Sequence, residues 1–78
     1  MSTSVKHKPA IAKDLWFSDK KLFVQLNDGR EIGVPIEWFP KLRNASEEEL
    51  QNWRLIGGGI GIHWESLDED ISIDGLLN

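Results

Sequence analysis

Cysteine and tyrosine are both absent from this 78-residue sequence, and methionine occurs once. Without cysteine there is no disulfide, no zinc–thiolate centre and no thiol nucleophile, so stability has to come from packing. Long apolar runs are missing as well. None approaches the ~20 residues that a membrane-spanning helix needs, and the opening MSTSVKHKPA has no apolar segment of the kind a secretory signal carries. The expectation is a cytoplasmic protein with no membrane partner. Proline occurs only at Pro9, Pro35 and Pro40, so each one marks a boundary.

What is present is aromatic and unevenly charged. Four tryptophans and three phenylalanines in so short a chain can each bury roughly 150 to 250 Å², which offsets the missing cross-links. At this length about 60 to 65% of the unfolded surface can be buried, enough for one core and one domain. The net charge of -4 is distributed by position. Lys6, Lys8 and Lys13 precede the first acid, while Glu65, Asp68, Glu69, Asp70 and Asp74 follow the last lysine or arginine. That pattern fits a solvated basic arm and an acidic end, or an acidic patch that docks a basic partner.

Residues 1–9 are polar and are expected to form a flexible arm, with a single domain over residues 10–78. Two strands are expected at Ile11 to Phe17 and Lys21 to Leu26, because Leu22, Val24 and Leu26 alternate with Lys21, Phe23 and Gln25. Asn27-Asp28-Gly29 supplies the turn into a third strand, Arg30 to Val34, whose apolar side continues through Ile36. After Pro35 the pattern becomes helical: one or two turns over Glu37 to Leu42, then a helix from Glu47 to Arg54 opened by a Ser46/Glu49 capping box. Leu50 and Trp53 would share its buried side. Gly57 to Gly59 would stop that helix and lead into a strand with Ile60, Ile62 and Trp64 facing inward and Gly59, Gly61 and His63 facing outward. A short extended segment around Ile71 and Ile73 and a helical turn over Asp74 to Leu77 complete an α+β fold: a small antiparallel sheet, a three-strand meander plus one or two C-terminal strands, packed with two short helices.

The glycine run invites a phosphate-binding assignment, but dinucleotide and P-loop motifs place their glycines between a strand and a helix N-terminus. Here they follow a helix and precede a strand, and no cofactor is expected. Asp70-Ile71-Ser72-Ile73-Asp74-Gly75 imitates the first half of a calcium loop, but its closing glutamate would fall beyond Asn78, so no metal is expected. His63 has only Ser66 and Asp68 nearby for triad chemistry, and all lie within one strand end. A ligand or enzyme site around His63 is the weakest of three readings.

PIEWFPKLRNASEEELQNWR resembles two short helices about a tight turn, and Lys41, Arg43 and Arg54 would be its nucleic-acid contacts. Against it, a recognition helix would present Glu47, Glu48 and Glu49 to phosphate. Most of the tryptophans should be core. Trp38 beside Phe39 is the choice for an exposed anchor for a partner, with Gly59, Gly61 and His63 as a second candidate surface.

The turn residues Asp28-Gly29-Arg30-Glu31, the block Trp38-Phe39-Pro40, the Asn52-Trp53-Arg54 helix end, the approach to His63-Trp64, Asp70-Ile71 and Gly75-Leu76-Leu77 occur in one order. In that order they resemble the small bacterial family known as domain of unknown function 2442, over nearly everything after Ala10. The resemblance implies an α+β domain without an established activity, and no catalytic residues are carried over. Some longer relatives append a helix-turn-helix segment, and compact members are often encoded beside another short protein, which has prompted toxin–antitoxin proposals. This sequence shows no such appended segment. The expectation is a non-enzymatic module that binds another small protein through a sheet edge or exposed aromatic patch, antitoxin-like in one form; a transcription accessory or DNA-binding regulator is the alternative.

Overall fold

The alternation in Lys21–Leu26 makes the centre of a meander, with Leu22, Val24 and Leu26 almost wholly buried. In this computed structural model, which describes residues 10–77, that strand (β2) lies between β1 (Ala12–Ser18) and β3 (Glu31–Pro35), antiparallel to both. The arm expected over residues 1–9 lies outside the described residues. Asp19 and Lys20 join β1 to β2, both at positive φ (51° and 62°), which a two-residue hairpin turn of the twisted type demands. Between β2 and β3, the Gly29 N–H donates to the Leu26 carbonyl (3.1 Å) and the Leu26 N–H to the Arg30 carbonyl (2.8 Å). Asp28 accepts from the Arg30 backbone and side chain, which holds its carboxyl below the usual carboxylate range. Pro35 ends β3 on an edge strand, where a missing N–H is tolerated.

The helical middle is more broken than its pattern suggests. A 3-10 turn, Ile36–Trp38, is separated by Phe39 from α1 (Pro40–Arg43), with Pro40 in the first turn where its lost N–H costs nothing. α2 (Glu47–Gln51) has the expected capping box: the Glu49 N–H donates to Ser46 Oγ (3.1 Å) and the Ser46 N–H to Glu49 Oε1 (2.9 Å). It ends at Gln51 rather than Arg54, so Trp53 does not share a helical face with Leu50.

Trp53 instead opens a strand. β4 (Trp53–Ile56), β5 (Gly61–Trp64) and β6 (Glu69–Ser72) form a second antiparallel meander in that order, so the described residues make two three-stranded sheets rather than one extended one. Trp53 stands opposite Trp64 and Leu55 opposite Ile62, so β4 delivers its apolar residues to the side where β5 is already buried. The glycine run is therefore a hairpin turn, not a helix stop. Gly57 and Gly58 both have positive φ (60° and 74°), and the Gly59 N–H donates to the Ile56 carbonyl at 3.0 Å. Ile60, expected in the core, sits in that turn and is 51% exposed. A 3-10 turn over Glu65–Leu67 leads to β6, and α3 (Ile73–Leu77) is the closing helical turn.

The inner faces of both sheets meet in one core: Leu15, Leu22, Val24, Leu26 and Val34 from the first, Ile62, Trp64 and Ile71 from the second, with Leu42 of α1 and Ile73 of α3. Trp64 is fully buried, and its indole N–H donates to the Leu50 carbonyl at 3.0 Å. One side chain thus fills the core and satisfies a carbonyl that the end of α2 leaves unpaired. The sheets are tied by the Ala12 N–H, which donates to the Gly59 carbonyl at 2.8 Å.

Candidate functional site

Register decides which polar side chains meet on the outer face of the second sheet. Arg54 of β4 lies opposite His63 of β5, and His63 opposite Asp70 of β6, so three ionisable residues form a row across three strands. His63 Nδ1 bonds the Asp70 carboxylate, and Nε2 bonds Glu65 Oε1 at 3.1 Å. Arg54 Nη2 reaches the same Glu65 oxygen at 3.4 Å. The Asp70 hydrogen bond raises the His63 pKa above its ordinary 6.5, partial burial opposes it, and the Asp70 charge and Glu65 add to the rise. Both carboxylates favour the imidazolium more than water would, since each can accept one of its N–H groups.

This geometry disfavours His63 as a general base or a metal ligand. Both ring nitrogens are engaged by carboxylates, so the lone pair that a general base or metal ligand needs is committed. Ser66, the local hydroxyl, is not among the side chains His63 bonds. Among the described residues no group of three or more metal-ligating side chains is placed to hold an ion. Asp70 and Asp74, the calcium-loop positions, lie in a strand and a helix. A helix through Arg54 is incompatible with the Arg54–His63–Asp70 row; the sequence signal for the row is the period of two in Trp53–Ile56.

A second feature lies beside β6. Trp38 and Phe39 face Glu69, Asp70, Ile71 and Ser72 across a hollow of about 430 Å³, with Gly75 and Leu76 of α3 at its end. Trp38 is 66% exposed, while Phe39 packs against the core and so anchors the segment. β6 is the last strand of its sheet, so the hollow runs along an edge with no strand paired to it among the described residues. A hollow of about 520 Å³ at α2 is lined by polar residues alone, Glu48, Glu49, Gln51, Asn52 and Ser66.

The remaining expected site residues disperse. Gly59 and Gly61 are buried, not surface. A Cβ on Gly59 would stand 2.6 Å from Ile11 Cγ2 and 2.8 Å from the Ala12 carbonyl oxygen, and one on Gly61 would stand 3.1 Å from Ile56 Cγ1. Both glycines are architecture, because backbone and side chain of this same chain occupy the space beside them. Lys41 Nζ donates to the Asp68 carbonyl at 3.0 Å and Arg54 pairs with Glu65, so Lys41, Arg43 and Arg54 are divided between α1 and the outer face of the second sheet. With four and five residues, α1 and α2 are too short to act as a helix-turn-helix pair. No helix among the described residues is long and apolar enough to cross a membrane.

The family described as Protein of unknown function (DUF2442) matches residues 12–78. A crystal structure of a protein of unknown function from Rhodospirillum rubrum is similar, with a TM-score of 0.79 and 29% identity over 90% of this chain and 87% of the other. No curated protein matches the chain. The chain belongs to the DUF2442 family.

Proposed function

We propose that this DUF2442 member is a non-enzymatic interaction module that binds another small protein, the product of a neighbouring gene, as an antitoxin-like partner. Trp38 is its anchor. The observation that carries this reading is the 66% exposure of Trp38 on a segment whose next residue, Phe39, is packed against the core. A large ring presented to water from a fixed backbone is the kind of side chain that dominates protein interfaces, since a partner can bury it at little conformational cost. The engagement of His63 by two carboxylates supports a structural rather than catalytic role for the one histidine in the domain.

Co-expression with the neighbouring gene product tests the reading. The two proteins should co-purify, Trp38→Ala should weaken the complex about 10-fold or more with an unchanged melting temperature, and the neighbour expressed alone should slow growth. Failure of the co-expressed pair to associate removes the module reading; a harmless neighbour removes only its antitoxin-like form. DNA binding has no comparable support, because Lys41 and Arg54 are engaged with Asp68 and Glu65 and α2 opens with three glutamates.

A further inference from the structure

We propose that the open edge of β6 is a strand-addition site, and that its occupant is an extended segment of a partner protein carrying a large apolar side chain flanked by lysine or arginine. This rests on Trp38 being a partner anchor and gives that anchor a binding mode and a partner chemistry.

Three observations converge on the groove. First, among the described residues β6 pairs with β5 on one side only, which leaves its other side as a template of about 13 Å, the length of four extended residues. Second, the wall facing that edge is Trp38 and Phe39, with Leu76 closing one end, so a side chain from an added strand would enter an apolar slot. Main-chain bonds to an edge supply affinity in strand addition, and such slots supply selectivity. Third, the ionisable residues lining the groove are Glu69 and Asp70, and none is basic. Beyond Arg54 the chain has five acids and no lysine or arginine, while Lys41 is engaged with the Asp68 carbonyl one residue before the strand.

The charge selects between occupants. A second copy pairing antiparallel over the whole of β6 would set Glu69 opposite Ser72 and Asp70 opposite Ile71, so it would add two further acids to the edge and bring no cation to face them. A basic segment meets Glu69 favourably, Asp70 being already paired with His63. The acidic character of this edge therefore favours a basic segment over a second copy of the chain.

Selection of random 12-residue peptides displayed on phage, against the full chain at low salt, tests the proposal. Enriched peptides should alternate lysine or arginine with one large aliphatic or aromatic residue. Their affinity should fall as salt rises. It should drop about 10-fold or more in Trp38→Ala and at least several-fold in Glu69→Lys, with Glu69→Gln as the milder variant if the lysine disturbs folding. On binding, the backbone amides of Glu69 to Ser72 should shift in NMR spectra and gain protection from exchange, a change that surface adsorption would not produce. No enrichment, peptides without basic residues, indifference to Trp38→Ala, or dimerisation of the free chain through β6 would each overturn the proposal. If the peptides fail while the complex with the neighbouring gene product still depends on Trp38, the strand-addition site falls and the interaction module stands. If that complex is also absent, the underlying reading falls with it.

Discussion

The two sheets share a plan, a three-strand antiparallel meander with an apolar inner face, but their outer faces are opposite in chemistry. Across the first sheet Trp16, Phe23 and Gly33 stand directly opposite one another. Trp16 and Phe23 stack with centroids 5.9 Å apart and planes 13° from parallel. The Phe23 ring extends over Gly33, where a Cβ would stand 2.8 Å from it. Across the second sheet the equivalent row is Arg54, His63 and Asp70, in which His63 bonds Asp70 directly and Glu65 bonds both His63 and Arg54. Each row is a set of cross-strand neighbours, the unit by which a sheet is stabilised. The aromatic row works through area and shape, which pH does not alter; the charged row works through a proton.

Breaking the junction between the sheets should have the largest effect. Gly59→Ala places a methyl against the Ala12 carbonyl at a residue with φ of 109°, and neither backbone can yield without losing the Ala12–Gly59 bond. Overpacking and left-handed strain together should cost about 3 kcal/mol, read as a lower urea midpoint followed by tryptophan fluorescence. Phe23→Ala should cost about 2 kcal/mol, since it removes the stack with Trp16 and uncovers Gly33. That loss should be the same at every pH in the same assay. In the other direction, Lys20→Gly should stabilise by roughly 0.5 to 1 kcal/mol, because glycine adopts the positive φ of 62° without the penalty a side chain brings. A calorimetric melting temperature that rises by a few degrees would bear this out.

The smallest effect is the one that distinguishes the two faces best. The folded-state pKa of His63 is raised, so the folded chain holds its proton more tightly than the unfolded chain does. The resulting stabilisation is fully present below 6.5, the ordinary imidazole value, and is lost as pH rises through the raised value. Its partners Asp70 and Glu65 are mostly exposed, which keeps the effect modest. Denaturation midpoints measured from about pH 5 to pH 9 should fall across that window in the native chain and flatten in Asp70→Asn. A native profile as flat as that of Asp70→Asn would show that the row contributes no linkage.

The first sheet was the more legible of the two because its signals are local. Leu22, Val24 and Leu26 alternate cleanly, Asn27-Asp28-Gly29 names its own turn, and Ser46 with Glu49 announces the start of α2. The second sheet is ambiguous at one point, over residues 53–56. Trp53-Arg54-Leu55-Ile56 continues a helical spacing from Leu50, yet it also has a period of two, and a Gly-Gly pair between two such runs is a hairpin signal. Choosing the helix hid β4, and with it the pairing of Arg54 with His63. Trp38, singled out from its place after Pro35, is exposed, whereas its facing residues on β6 were not identified.

By itself the sequence determined the first meander, the capped helix and the inward side of Leu22, Val24, Ile62 and Trp64, because each depends on residues within a few positions of one another, and the α+β class and the family, because their signals keep one order along the chain. Only the tertiary structure decided what lies beside Gly59 and Gly61, which carboxylates hold His63, and which side of β6 remains open. Those are questions of how segments distant along the chain meet, such as Gly59 against Ala12, or Trp38 and Ile71 on one hollow. Local periodicity fixes which way a side chain points, and the packing of the two sheets determines what it meets there.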